Sequence, residues 1–196
     1  LMLPMLRAPR LLIDCTSHEF LYGTDEYEEN SPRAWRASVR PGVSVFTLHS
    51  FSAFFCCPGL RLGYLTGERS QLVRLAALRP AWNISPFAQL MGGRFLANLA
   101  AYRETLPALR QSIAAMGRDL RRLPCTDPDR TFERPGFLCC GLTSRFHTAA
   151  VRKTLLNQRI LTRDCGDFPG MPEGFLRLRA RPESDAARLL AVLETV

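Results

Sequence analysis

Chemistry concentrates in the segment Ser50-Phe51-Ser52-Ala53-Phe54-Phe55-Cys56-Cys57-Pro58-Gly59-Leu60-Arg61-Leu62-Gly63-Tyr64. Two hydroxyls one residue apart, Ser50 and Ser52, precede an arginine, Arg61, that stands among glycines. Such a set suits an anion. Serines and a guanidinium supply charge-assisted hydrogen bonds, and Gly59 and Gly63 let the backbone approach closely. Read from residue types alone, the segment serves equally well as a plain turn ahead of a strand. Metal chemistry is not expected: there are three histidines, and the seven cysteines include no C-x-x-C pair. The vicinal pairs Cys56-Cys57 and Cys139-Cys140 read as reduced thiols, and most of the cysteines as buried.

The elements that must position this segment follow from hydrophobic pattern. Residues 10–14 (RLLID) and 43–48 (VSVFTL) read as buried strands, and 61–66 as a third after a loop over 50–59. A short helix fits 32–39 and another 68–78, broken by Pro80. Ser85 followed by Pro86 is a helix start, with the helix running to about residue 99 and a further one from about 102 to 123. Past a Pro/Asp-rich break at 124–130 come strand 137–142, helix 147–157, strands 160–163 and 175–180, and helix 183–193. Strands separated by helices predict an α/β layer architecture, followed by a compact α+β unit.

Composition narrows the class. The chain has 196 residues, 46% hydrophobic and 22% charged, which is globular and neither disordered nor fibrous. No apolar run is long enough to span a bilayer. Leu1 to Cys15 is interrupted by Pro4, Arg7, Pro9 and Arg10, so a signal peptide is not expected and a cytoplasmic location is. The net charge is +8, but the arginines are scattered without a stripe or a nucleic-acid motif, so no nucleic-acid partner is expected. Lys153 is the only lysine among 26 basic residues.

Against this background the segment 50–64 resembles the lysine motif of the class I/II aminotransferase family, S-x-S-K-x-x-x-x-x-G-x-R-x-G. The family binds pyridoxal 5'-phosphate, so the resemblance implies that Ser50, Ser52 and Arg61 hold the cofactor phosphate. The lysine that carries the cofactor falls on Ala53. Upstream, Asp14 stands where the family's D-E-x-[YF] motif places the acid that pairs with the pyridine nitrogen, although Cys15, Thr16 and Ser17 depart from that pattern. Such a carboxylate keeps the ring cationic.

Residues 155–170 (LLNQRILTRDCGDFPG) are similar to L-L-x-x-R-I-L-I-R-x-C-x-N-[FY]-P-G-L, the signature of threonine-phosphate decarboxylases and histidinol-phosphate aminotransferases. Arg177, in the run Phe175 to Leu178, resembles the arginine that grips the substrate carboxylate. With Arg163 it would clamp a doubly anionic amino-acid phosphate through forked hydrogen bonds. Pro80 to Ser85 also resembles the P-[WY]-[NS]-[IV] helix entry of this group.

The resemblance implies a partial fold type I chain. Residues 1–84 would be the C-terminal part of the large domain, 85–123 linking helices and 124–196 the small α+β domain, with an N-terminal part of the family fold missing. It also implies a homodimer acting on a phosphorylated amino-acid-like substrate, by decarboxylation or, alternatively, by amino transfer. With alanine at 53 the resemblance implies a chain that is inactive as written, whether it is an engineered exchange, a degenerate fragment or a pseudoenzyme used for binding.

Overall fold

A computed structural model describes residues 9–179 and 183–196. The apolar stretch through residue 8 and the last residue of the expected strand 175–180 lie outside that set. The chain divides into two compact units, Leu1–Glu104 and Thr105–Val196.

The first unit is built on a three-stranded sheet, β1 (Arg10–Asp14), β2 (Ser44–Ser50) and β3 (Gly63–Thr66), in that order. β1 and β2 are parallel with Asp14 opposite Leu48, and β3 returns antiparallel with Gly63 opposite Ser50. Between β1 and β2 lie a 3-10 turn (His18–Leu21), α1 (Asp25–Glu29) and α2 (Pro32–Ser38). After β3 come α3 (Arg69–Ala76), α4 (Pro86–Ala97) and α5 (Leu99–Glu104). The serine-proline starts behave as expected: Ser31 Oγ accepts from the N–H of Ala34, and Ser85 Oγ from that of Ala88 at 3.1 Å. β3 begins two residues later than the pattern predicts, because Arg61 takes the left-handed conformation (φ 51°) and turns the chain first.

The second unit has a four-stranded antiparallel sheet, ordered β4 (Thr126–Arg134), β5 (Phe137–Leu142), β7 (Phe175–Leu178), β6 (Arg163–Asp164). α6 (Leu106–Leu120), α7 (Thr148–Asn157) and α8 (Glu183–Glu194) supply Ile113, Leu120, Val151, Leu155 and Leu193 to a core shared with Leu138, Leu176 and Leu178.

The strand over 10–14 is not the buried one expected, since its residues alternate between exposed and half-buried, and three expected boundaries also need correction. The helix over 102–123 is two helices broken at Thr105, since Pro107 has no N–H to continue the ladder. The break at 124–130 contains the start of β4. That strand tolerates Pro128 because the register shifts between Asp127 and Phe132, where an Asx-type bond (Asp129 N–H to Asp127 Oδ1, 3.1 Å) forms the bulge. Finally, the strand over 160–163 shrinks to Arg163–Asp164. α7 ends in a Schellman cap with Arg159 at φ 59°, and Ile160 N–H reaches back to the Leu155 carbonyl at 2.8 Å.

Candidate functional site

In the first unit the residues singled out by sequence meet at one sheet edge. β1 and β2 are parallel, so Asp14 and Ser50 both terminate strands at the same end, and β3 starts there two residues after Arg61. Ligands of α/β sheets bind outside the carboxyl ends of parallel strands. Register adds a second constraint. Asp14 pairs with Leu48, and Leu48 and Ser50 are two apart, so Asp14 and Ser50 project from the same face. That face is open: Asp14 is exposed and Leu12 is 62% exposed.

The loop after β2 is held by its phenylalanines. Phe51, Phe54 and Phe55 recur at helical spacing and are all buried, Phe55 stacking on Phe95 at 4.7 Å. The Phe55 N–H donates to the Phe51 carbonyl and the Cys57 N–H to that of Ser52, both at 3.1 Å. With one side of this turn committed to the core, Ser52 and Ala53 remain half-buried on the other. The Ser52 N–H donates to Ser50 Oγ at 3.1 Å, which leaves the Ser50 hydroxyl proton to donate elsewhere.

Arg61 is exposed, and its Nη1 donates to the Pro58 carbonyl at 3.0 Å. A non-glycine residue at positive φ costs roughly 1–2 kcal/mol and tends to occur where function requires it. Gly63 cannot be replaced without a shift, because an added Cβ would lie 2.6 Å from the His49 carbonyl oxygen. Asp14 Oδ1 accepts from the Thr16 N–H at 2.9 Å, so Oδ2 is the oxygen left for a ligand.

The pattern-based reading missed the brace beneath this edge. His49 is buried, stacks on Tyr64 at 4.5 Å, and pairs its Nε2 with Thr47 Oγ1 at 3.0 Å. Burial, and then the nearby His18, push the His49 imidazole below its usual range, so it braces as a neutral ring. A histidine opposite a tyrosine carries no signal until the strand register is known.

As a donor set, two hydroxyls and a guanidinium fit a phosphate dianion, and a strand-end carboxylate fits a ring N–H. Ala53 offers no amine to a carbonyl ligand. The edge therefore fits the non-covalent handles of a pyridoxal-type cofactor and lacks the covalent one.

In the second unit Arg163 and Arg177 are direct partners across the β6–β7 ladder, on one face of the sheet. Like charges placed directly opposite are unfavourable unless an anion or another partner intervenes. Their partners differ. Arg163 Nη2 meets Asp167 Oδ2 at 2.6 Å, whereas Arg177 lies over the Phe137 ring at 4.1 Å. A cavity of about 740 Å³ is bordered by Arg163 and Arg177 together with Arg152, Arg159, Arg179 and Arg188. Arg188 there donates to the Gln158 carbonyl at the end of α7, and Arg152 pairs with Asp164 at 3.5 Å. Arg152 and Arg188 are thus already engaged.

Comparison with known proteins gives the following. The family described as Aminotransferase class I and II matches residues 9–196. A threonine-phosphate decarboxylase of Salmonella typhimurium is 30% identical over 162 residues, covering 81% of this chain and 43% of that protein. The solved L-threonine-O-3-phosphate decarboxylase of Porphyromonas gingivalis superposes with a TM-score of 0.76 at 20% identity, over 94% of this chain and 54% of that one. A histidinol-phosphate aminotransferase of Sinorhizobium meliloti, solved with pyridoxal-5'-phosphate, gives 0.72 at 17% identity, over 95% and 48%. The chain spans about half the length of the relatives it matches.

Proposed function

We propose that this chain, which belongs to the aminotransferase class I and II family, binds pyridoxal 5'-phosphate and a phosphorylated amino acid in the manner of a threonine-phosphate decarboxylase, without completing the reaction. Its mixed α/β architecture matches fold type I over about half of the reference chains. The observation that carries the reading is the convergence of Asp14, Ser50, Ser52 and Arg61 at one strand end, with Ala53 in the lysine's place.

When bound, the cofactor supplies a cationic ring that draws electrons from the bonds at an amino acid's Cα. Asp14 Oδ2 holds the ring nitrogen's proton and so keeps the ring cationic. Ser50 and Ser52 donate their hydroxyl protons to the phosphate, and Arg61 adds a charged donor from its strained turn. Arg177, with Arg163, takes the substrate's anionic groups. Loss of carbon dioxide from O-phosphothreonine leaves a Cα that must receive a proton, and a lysine at 53 would deliver it. The Ala53 methyl carries no proton to give and no amine to hold the cofactor. The second reading, amino transfer to a substrate such as histidinol phosphate, needs the same amine and stops at the same residue.

The linking role of residues 85–123, a cytoplasmic location and a homodimeric state belong to the same proposal. No helix among the described residues is long and apolar enough to cross a membrane.

The test is a titration of pyridoxal phosphate into the chain and into Ala53→Lys, following visible absorbance and its loss on borohydride reduction. The reading expects dialysable cofactor in the first and a reducible band in the second. No retained cofactor in either would overturn it.

A further inference from the structure

We infer that Arg103 and Glu19 are positioning residues for Asp14, and that α5 sets the separation between the ring end and the phosphate end of the cofactor site. The inference rests on the cofactor reading above and deepens it.

Past Asp14 the chain is a run of bonded turns. The Cys15 N–H donates to the Leu48 carbonyl at 2.8 Å and carries the tie to β2 one residue beyond the strand. The His18 N–H then reaches the Cys15 carbonyl at 3.0 Å, and those of Phe20 and Tyr22 reach the Ser17 and Glu19 carbonyls at 3.2 Å. Turns so closely bonded bend little, so whatever holds Glu19 also sets the direction of Asp14 at the start of the run. Arg103 holds it. Its Nε and Nη2 donate to Glu19 Oε2 at 3.1 and 2.9 Å. The same Nη2 donates to the Tyr27 hydroxyl at 2.9 Å, and the guanidinium lies 3.9 Å above the Tyr22 ring. The two side chains are only 22% and 25% exposed, so solvent screens this pair less than the exposed pairs at Asp119 and Asp167. His18 adds a second anchor, stacked on Tyr27 at 4.3 Å with its Nε2 at 2.8 Å from the Tyr27 carbonyl oxygen.

The neighbouring residue of α5 holds the other end. Tyr102 packs edge-on against Phe55 at 4.9 Å and lies beside Phe54 at 6.3 Å. These two phenylalanines fasten the loop that bears Ser52. Consecutive helix residues point about 100° apart, so one short helix can grip two pieces of chain at once. Tyr102 grips the phosphate loop, and Arg103 grips the turn that follows the acid. Phe20 closes the gap between those pieces, meeting Phe54 edge-on at 5.5 Å. A cofactor of fixed length has to reach Asp14 with its ring nitrogen while Ser50 and Ser52 hold its phosphate. In this arrangement two adjacent side chains fix that separation through the protein. Their roles separate chemically: loss of Arg103 disturbs the ring end, and loss of Tyr102 the phosphate end.

The probes are pyridoxal 5'-phosphate and its analogue with carbon in place of the ring nitrogen, each equilibrated by dialysis against the full chain. Only the first can use Asp14, so the chain should prefer it about 10- to 100-fold, the scale of a charge-assisted hydrogen bond. Asp14→Asn should remove most of that preference. Arg103→Gln should cut it at least about fivefold and move the analogue's affinity less than about twofold, because a hydrogen bond weakens steeply once its acceptor is displaced. Glu19→Gln should act in the same direction by about threefold, since the amide oxygen still accepts from Arg103. Tyr102→Leu should weaken both ligands alike and leave the preference standing. A variant that loses its fold loses both ligands together, so the analogue reports folding alongside the preference. Should Arg103→Gln do that, Glu19→Gln decides. An unmoved preference in either folded variant, equal loss of both ligands in both variants, or no preference in the unsubstituted chain would overturn this inference and leave the cofactor reading intact. No binding of either ligand by the unsubstituted chain would also overturn it, and the Ala53→Lys titration then tells whether the cofactor reading falls too.

Discussion

The sheet of residues 105–196 lies under three helices with Leu138, Leu155 and Leu176 wholly excluded from solvent, whereas the sheet of residues 10–66 leaves Leu12 62% and Leu48 39% exposed. Of the largest fully buried side chains among the described residues, all but Thr47 belong to the second unit. Leu12 and Leu48 share their face with Asp14 and Ser50. The unit that carries the cofactor-type residues thus keeps its functional face open. The other buries one face in leucine and reserves the opposite one for arginine over phenylalanine. Stability and chemistry are divided by unit in one case and by sheet face in the other.

The contrast can be broken most forcefully at Leu176. Leu176→Ala should cost about 2–5 kcal/mol, the range for truncating a leucine in a closed core, read by urea unfolding with hydrogen exchange followed on residues 105–196. A loss below 1 kcal/mol would mean that this core is no better closed than its neighbour.

A smaller effect comes from Cys140, whose thiol burial pushes up to about 12. An unfolded thiol deprotonates near 9, so proton loss stabilises only the unfolded chain between those values. The contribution is fully present below pH 9 and falls as pH rises toward 12, by about 1.4 kcal/mol per pH unit for this thiol. Cys140→Ala should flatten that slope, and an unchanged slope would refute the burial argument. The smallest effect belongs to the first unit. Leu12→Ser should move stability by no more than about 0.5 kcal/mol, and a larger loss in the same unfolding experiment would show that this face is covered in solution.

Sequence pattern reached the first unit's edge well. Residues 10–14 form a strand over the expected range, and Ser85 with Pro86 starts a helix, because both signals are local. The gathering of Asp14, Ser50 and Arg61 at one strand end was foreshadowed by the family motif; their shared edge follows from parallel pairing, which no local signal carries. Strand β4 was illegible because Asp127, Pro128 and Asp129 look like a breaker, and only pairing with β5 makes their bulge part of a strand.

One consequence follows from the phenylalanine anchors of the loop after β2. The turn over residues 51–57 is fastened by Phe51, Phe54, Phe55 and its own backbone bonds, and residue 53 takes part only through its carbonyl, which every amino acid possesses. The loop's shape therefore does not register which side chain position 53 bears. Scaffold and reactivity are written in different letters of the same short word. A chemist can change the second by one substitution without rebuilding the first, which makes the chain a ready receptacle for testing what other nucleophiles could do there.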